Sequence, residues 1–339
     1  MIRMTLATFA LFLLSCGAFA AKTKKTHDHD ALRPDAHAPI GVMGDHGHGK
    51  GEIMLSYRVM NMIMDENKVD GETVETDEIV SPTGYNYMVA PEEMSMLMHM
   101  VGIMVGVSDK LTLSLMAGFS ENEMDHVTRM GQEFTTSSSG LNDVKLSALY
   151  QLSTVKNASL LINFGVAFNT GSVEEEDVTP MSGGNPVQLP YPMQLGSGTN
   201  DLIAGFTFQQ WMPDWSWGSQ ALYTYHVGEN DRGYTLGNRF HVTTWASYKV
   251  HSNVSTSLRM KYQERENIDG VDSTLNPMMV QTADARLQAY KEMQLGAGLN
   301  LTLASHRFAV EVLGPVWQHV DGPQLVNGPT VTAGWQLAF

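Results

Sequence analysis

Two stretches of the chain carry sulfur at a fixed spacing. Residues 54–64 read MLSYRVMNMIM and residues 94–104 read MSMLMHMVGIM. Their nine methionines, Met54, Met60, Met62, Met64, Met94, Met96, Met98, Met100 and Met104, all occupy even-numbered positions. Thioethers are soft ligands that favour Cu(I), so a row of them could hold and relay copper ions. Methionine is also an adaptable apolar filler, and a wall of it would equally seal a narrow lumen or line a route for an apolar solute. A period of two is the spacing of one face of a β-strand. Both uses need one face, so the spacing does not choose between them.

A second set of potential ligands begins at residue 26. THDHDALRPDAHAPIGVMGDHGHGK interleaves His27, His29, His37, His46 and His48 with Asp28, Asp30 and Asp45. Short His-rich tracts bind divalent metals through neutral imidazole; the alternative is a polar leader with a histidine bias. Soft sulfur and borderline imidazole in one chain fit copper better than zinc or calcium. Neither segment has the fixed ligand spacing of a structural metal site. Copper ions are therefore expected as cargo, with no resident cofactor.

Enzymatic constellations are weak. The nearest candidates are His251 with Ser252 in VHSN and His126 with Thr128 in DHVTR. Adjacent side chains in a tight turn seldom point together, and no nucleophile elbow, metal-hydrolase helix or phosphate-binding glycine loop is present. The expectation is no enzyme. A formal net charge of −15 argues against nucleic acid as a partner.

The elements that would position these residues begin with a leader. Met1–Arg3 form a short positive region, Thr5–Leu14 an apolar run, and Gly17–Ala20 end in small residues that fit signal cleavage before Ala21. The apolar run is shorter than the roughly 20 residues a spanning helix needs. Cys16 is the one cysteine, so cleavage at Ala20 leaves a thiol-free chain. A competing reading takes LLSC as a lipobox with Cys16 as a lipidated first residue. The organisation is then a signal peptide over 1–20, a flexible His-rich periplasmic segment over 21–50, and a barrel over 51–339.

Beyond residue 50 the chain alternates in segments of about ten residues separated by polar spacers, the pattern of a transmembrane β-barrel. Strands are expected at about 51–64, 93–107, 110–120, 141–153, 158–169, 200–211, 217–228, 236–250, 253–263, 291–304, 307–318 and 328–339. VSDKL, STVKNA, MPDWS, VHSN and ASHR are tight turns, whereas 65–92, 121–140, 170–199 and 264–290 are long and polar. The fold class is thus all-β, an up-and-down antiparallel barrel of about 12 strands with both termini in the periplasm. A globular β-sandwich would alternate similarly, but export and strand length disfavour it.

Apolar faces identify the lipid side, because hydrocarbon tolerates no unpaired polar group. Leu160, Ile162, Phe164, Val166 and Phe168 share one such face. On the first strand Ile53, Leu55, Tyr57, Val59 and Ile63 face lipid, which turns Met54, Arg58, Met60, Met62 and Met64 inward. On the second, Met94, Met96, Met98, Met100 and Met104 turn inward and His99 outward; Met116 joins them from the third. Inward bases on other strands are Lys145, Arg239, His241, Lys249, Arg259 and Lys261, with Glu311 as the main inward acid. With Arg58 they form a basic wall that attracts anions, or one whose charges are paired with loop carboxylates. Acids concentrate in the outer loops, at Asp65–Glu78 and Glu174–Asp177; these could collect cations, bridge lipopolysaccharide, or simply be solvated.

The terminal GWQLAF, ending in Phe339, resembles the signal by which outer-membrane proteins of Gram-negative bacteria are recognised by their assembly machinery. The run DHVTRMGQEFTTSSSGLNDVKLSALYQL (125–152), with Gly140, Leu141, Asp143 and Val144 leading into a strand, resembles the large outer-membrane "transporter" family of meta-pathway phenol-degradation-type barrel proteins. That resemblance implies a barrel with solute passage and no settled substrate. The expected role is passage or capture of small solutes after export by the Sec route, with copper handling by the leader and the Met wall as the specific form. The alternatives are uptake of apolar or aromatic compounds and a closed structural or surface-interaction barrel. Expected partners are outer-membrane lipid and lipopolysaccharide, the assembly machinery, and a small solute or metal ion.

Overall fold

A computed structural model describes residues 33–155 and 157–339. The expected signal peptide, Cys16 and the potential ligands His27 and His29 lie outside the described residues. Among those described, twelve antiparallel staves close into a barrel. In chain order they are β1 (Ile53–Met64), β2 (Val89–Ser108), β3 (Leu111–Thr128), β4 (Glu133–Leu141 and Val144–Val155), β5 (Ala158–Phe168) and β6 (Asn200–Trp211). They continue as β7 (Trp215–Val227), β8 (Arg239–His251), β9 (Val254–Arg265), β10 (Tyr290–Leu303), β11 (His306–His319) and β12 (Thr330–Ala338). Each stave pairs with its sequence neighbours, and β1 closes the ring on β12 from Met54↔Ala338 to Met62↔Thr330. Ile53 and Phe339 finish the seam by exchanging two backbone hydrogen bonds of 2.9 Å. Closure leaves no strand edge to face hydrocarbon. No described helix is long and apolar enough to cross a membrane; the crossing is made by strands.

The lipid-facing assignments hold along the staves. Val101, Ile103, Leu115, Phe119, Phe164, Phe206, Leu258 and Val331 are all exposed on the outside. His99 does face outward, and its cost is met locally: Tyr57 on β1 places its hydroxyl 2.7 Å from His99 Nδ1. Two polar groups thereby satisfy each other on an apolar surface.

One long loop is not a loop. Residues 121–140, expected to be irregular, continue the barrel wall: β3 runs on to Thr128 and pairs with the first half of β4, from Phe119↔Leu141 to Val127↔Glu133. The reason is visible in the outward residues. Past Phe119 they are Glu121, Glu123 and Asp125, all exposed, so this part of the wall stands above the lipid, while its inner face, with Asn122, Met124 and His126, is buried under the loops. A strand without an apolar face gives no alternation to read. The interruption in β4 falls at Asn142 and Asp143, inside the GLNDV run. There Asp143 accepts the N–H groups of Gly171 and Ser197, each at 2.9 Å, and Asn142 donates to the Leu195 carbonyl at 3.1 Å. The motif therefore breaks the strand in order to anchor both ends of the 170–199 loop.

The second departure concerns residues 33–50, expected as part of a flexible periplasmic tail. They enter the barrel from the short-turn end and fill its lumen: Asp35, Ala36, Ala38, Ile40, Val42 and Asp45 are all buried. A segment of small residues, proline and glycine fits a tube already crowded with side chains. Gly106 on β2 has no room for a Cβ, which would collide with the Gly49 carbonyl.

The lipid-face assignment is open to test at Leu258, which is 68% exposed at mid-strand on β9. Leu258→Arg should lower the free energy of folding into lipid vesicles by about 2–4 kcal/mol. Leu258→Phe, which keeps an apolar group toward lipid, should show no such loss, and urea titration of vesicle-folded barrel distinguishes the two.

Candidate functional site

The lumen divides into a plug, a charged chamber and a covered outer mouth. The plug is held chiefly by its backbone. Successive carbonyls accept from wall side chains: Pro34 from Ser255, Asp35 from Ser216, Ala36 from Gln209 and Trp211, and His37 from Ser247. Ala38 accepts from Arg307, Ile40 from Arg58 at 3.0 Å, and Met43 from Gln220 at 2.9 Å. Buried carbonyls require donors, and here the barrel supplies them. Ala38 and Val42 pack on Trp245, which is 2% exposed and stands inward from β8. Glu311 accepts the Gly41 N–H at 2.8 Å and is itself paired with Arg259 at 3.1 Å. Arg58 and Arg259, expected in an open basic wall, are therefore committed to the plug and its Glu311 anchor.

The expected inward methionines are all on the lumen face, because their register is set by direct cross-strand pairs. Met54 faces Met104, Met60 faces Met98, Met62 faces Met96 and Met64 faces Met94. They do not form an unbroken sulfur ladder. Arg58 lies opposite Met100, Ser56 opposite Gly102, and Met116 opposite Gly102 on β2 and Lys145 on β4. The two ends are packed as core. Met54 and Met104 bury against Leu149 beside the plug. Met64, Met94 and Met124 bury against Leu189, Met193 and Leu325, which descend from the outer loops, with Met62 and Met96 packed alongside. The gap left there is about 20 Å³, little more than one water. At these ends the sulfur acts as a seal.

Between plug and seal lies the charged chamber. Lys145, Arg239 and Lys261 turn inward beside the His241 ring, and the three cations are close enough to act on one another. Among the described residues none of the four has a carboxylate within ion-pair distance. Lys249 has the same inward phase but sits at the rim, 3.3 Å from Asp214 in a short turn. The acid Glu292 is caged by amides, accepting from Gln263, from Asn327 at 3.0 Å and from Gln318 at 3.4 Å.

The outer mouth is roofed by the loops, which enclose a cavity of about 430 Å³. Its apolar walls are Val89, Phe134, Met181, Val187, Leu189, Pro190, Leu275, Met279 and Val280, with His126, Glu176 and Arg232 and the side chains of Thr128, Thr136, Thr179, Ser182, Gln188, Thr274 and Asn276 between them. A concavity of this size whose exposed lining is mostly apolar, with polar groups interspersed, is the usual form of a small-molecule site. The His126 ring stacks on Phe134 at 4.8 Å between centroids. Arg232 is fixed by a fork onto Asp272 at 2.8 and 3.1 Å, and Tyr191 accepts from the Asp272 N–H at 3.1 Å. Burial would raise the Asp272 carboxyl, but Arg232 and Thr274 override it and hold it below the usual carboxylate range. The pair His251 and Ser252 does meet, at 3.1 Å, contrary to expectation. It lies exposed in a short turn away from every cavity described above.

A family model described as "Putative MetA-pathway of phenol degradation" matches residues 94–276, more than half of the chain. The chain belongs to this family. No curated protein matches. Among solved structures, an outer membrane channel from Pseudomonas putida F1 is similar over 88% of this chain and 100% of its own, with a TM-score of 0.63 and 12% identity. The NanC porin matches 85% of this chain and 98% of its own at a TM-score of 0.43 and 8% identity. The first of these likenesses concerns the fold, an outer-membrane β-barrel, and assigns no residue a role.

Sequence reasoning missed Met124, Trp245, Glu292 and Arg307, and the outer cavity as a whole. Met124 lay in a stretch without a lipid face, and Arg307 beside a tight turn. Trp245 alternates correctly with Thr243 and Ser247 but its apolar character concealed an inward position. The cavity is assembled from loops distant in sequence, with no local signature. Two outcomes follow. Trp245→Ala removes the plug's apolar seat and should raise single-channel conductance in planar bilayers while the barrel keeps its folded electrophoretic mobility. Because the Asp272 carboxyl is depressed in the folded protein, its pairing contributes above the unfolded value of about 4 and is lost as pH falls through the folded one. Proteolytic nicking of the 266–289 loop should therefore rise at pH well below 4 in wild type, and at neutral pH in Asp272→Asn.

Proposed function

We propose that the barrel admits small apolar or aromatic solutes from outside, captured first in the loop-roofed cavity and released inward past the basic chamber when the plug withdraws. The observation that carries this reading is the cavity of about 430 Å³ at the outer mouth, apolar on most sides and placed directly over the methionine seal. The unpaired Lys145, Arg239 and Lys261 below it favour solutes that bear a negative charge, since a low-dielectric lumen strengthens their field. An aromatic ring with an acidic group meets both zones. Family membership supports this reading through its description in terms of phenol degradation. Copper relay along the methionine face has less support, because the sulfurs at both ends are buried against leucines. In the same reading Phe339, 53% exposed at the seam, is what the assembly machinery recognises after Sec export, and the acidic outer loops face lipopolysaccharide.

Benzoate and phenol are suitable probes. Calorimetric titration of the purified full chain should show benzoate binding that weakens at least tenfold in Val187→Asp/Leu275→Asp. Planar-bilayer currents in the Trp245→Ala background should be anion-selective and lose that selectivity in Lys145→Gln/Lys261→Gln. Absence of both binding and conductance would sink the proposal and leave a closed structural barrel.

A further inference from the structure

The plug carries a cluster that solute passage does not use. His37, Asp45 and His46, nine residues apart along the chain at most, present ligand atoms that all lie within 4.8 Å of one another. The His37 and His46 rings are 4.7 Å apart between centroids, and His48 packs on His46 at 4.9 Å. Asp45 holds the turn together: one oxygen accepts the Ala38 N–H at 2.9 Å, the other lies 2.8 Å from His46 Nδ1. A carboxylate on one imidazole nitrogen fixes the ring and leaves the other nitrogen to face a metal. His48 is 9% exposed, and its Nε2 is buried without a hydrogen-bond partner.

We propose that these side chains form a site for one borderline divalent transition ion, bound by imidazoles of His37 and His46 with Asp45 or His48 completing the set, and that the ion locks the plug in the lumen. Ligand type selects the metal class: imidazole with carboxylate suits zinc or copper(II), not calcium or magnesium. Bonds of about 2.0–2.2 Å would draw the ligand atoms inward by roughly an ångström, a distance that side-chain rotation covers. All donors belong to the plug, so the ion closes the loop from His37 to His46. That loop contains the Ala38, Ile40, Met43 and Gly44 carbonyls which the wall grips. Holding it compact presents those carbonyls in the geometry of the clasp, and releasing the ion frees the chain to straighten and leave. The ion here is a resident latch on the plug rather than cargo on the methionine face, and the inference stands whether or not the solute is aromatic.

The experiment is a zinc titration of the purified full-length barrel by calorimetry, followed by planar-bilayer recording with zinc or a chelator. One equivalent should bind, with affinity at least tenfold weaker in His37→Ala/His46→Ala and unchanged in His27→Ala/His29→Ala. Chelation should raise the open probability of wild type several-fold and leave His37→Ala/His46→Ala, which is already open, unaffected. Folded electrophoretic mobility of every variant keeps a failure to fold from imitating the result. No zinc binding, binding that follows His27 and His29 instead, or gating indifferent to the ion in wild type would each overturn the proposal.

Discussion

A peptide without regular secondary structure drawn into a protein interior must find a donor for nearly every carbonyl, and this barrel is arranged around that demand. Hydroxyls of Ser216, Ser247 and Ser255, amides of Gln209 and Gln220, and guanidiniums of Arg58 and Arg307 all point at the plug's backbone. These same residues are the polar half of the alternation on six different staves. The polar lumen is therefore not generic wetness; near the short-turn end it is a mould for a particular stretch of chain. Because the grip falls mostly on backbone, the plug's side chains stay available for other work, and the histidine cluster is where they are spent.

The two closures differ in chemistry. The plug is gripped by hydrogen bonds that water can replace one at a time, at a net worth of about 1 kcal/mol each. The outer seal is a cluster of methionines and leucines with almost no free volume, joined to loops that are themselves tied down by Asp143, Asn142, Arg232 and Asp272. Opening the first requires rehydration of a peptide. Opening the second requires an apolar partner to replace apolar contacts, which flexible thioethers can make with rings of varied shape. The arrangement thus puts the selective element at the outer mouth and the gate at the inner one, with unpaired cations between them.

The methionine pattern shows how one sequence signal can carry two meanings. Its strict period places every one of these sulfurs on the lumen face, and direct pairing of β1 with β2 brings eight of them together as four opposed pairs. What the period does not contain is the identity of the third partner. For Met64, Met94 and Met124 that partner is Leu189, Met193 and Leu325, from loops that lie at least 65 residues away in the chain or at its far end.

The barrel, its number of staves, its tight turns and the inward or outward phase of most staves were legible in the sequence, because lipid on one side of a strand imposes alternation at every step. Where that constraint ends, legibility ends. The β3–β4 wall above the membrane, with Glu121, Glu123 and Asp125 outside, has water instead of lipid on its outer face and looked like a loop. The His-rich segment announced potential ligands, but that His37, Asp45 and His46 converge depends on the lumen folding that stretch back on itself. Which bases stay unpaired was likewise decided in three dimensions: Arg58 and Arg259 were claimed by the plug, whereas Lys145, Arg239, His241 and Lys261 were left facing one another. Periodicity determines which way a side chain points, and only the closed barrel determines what it meets there.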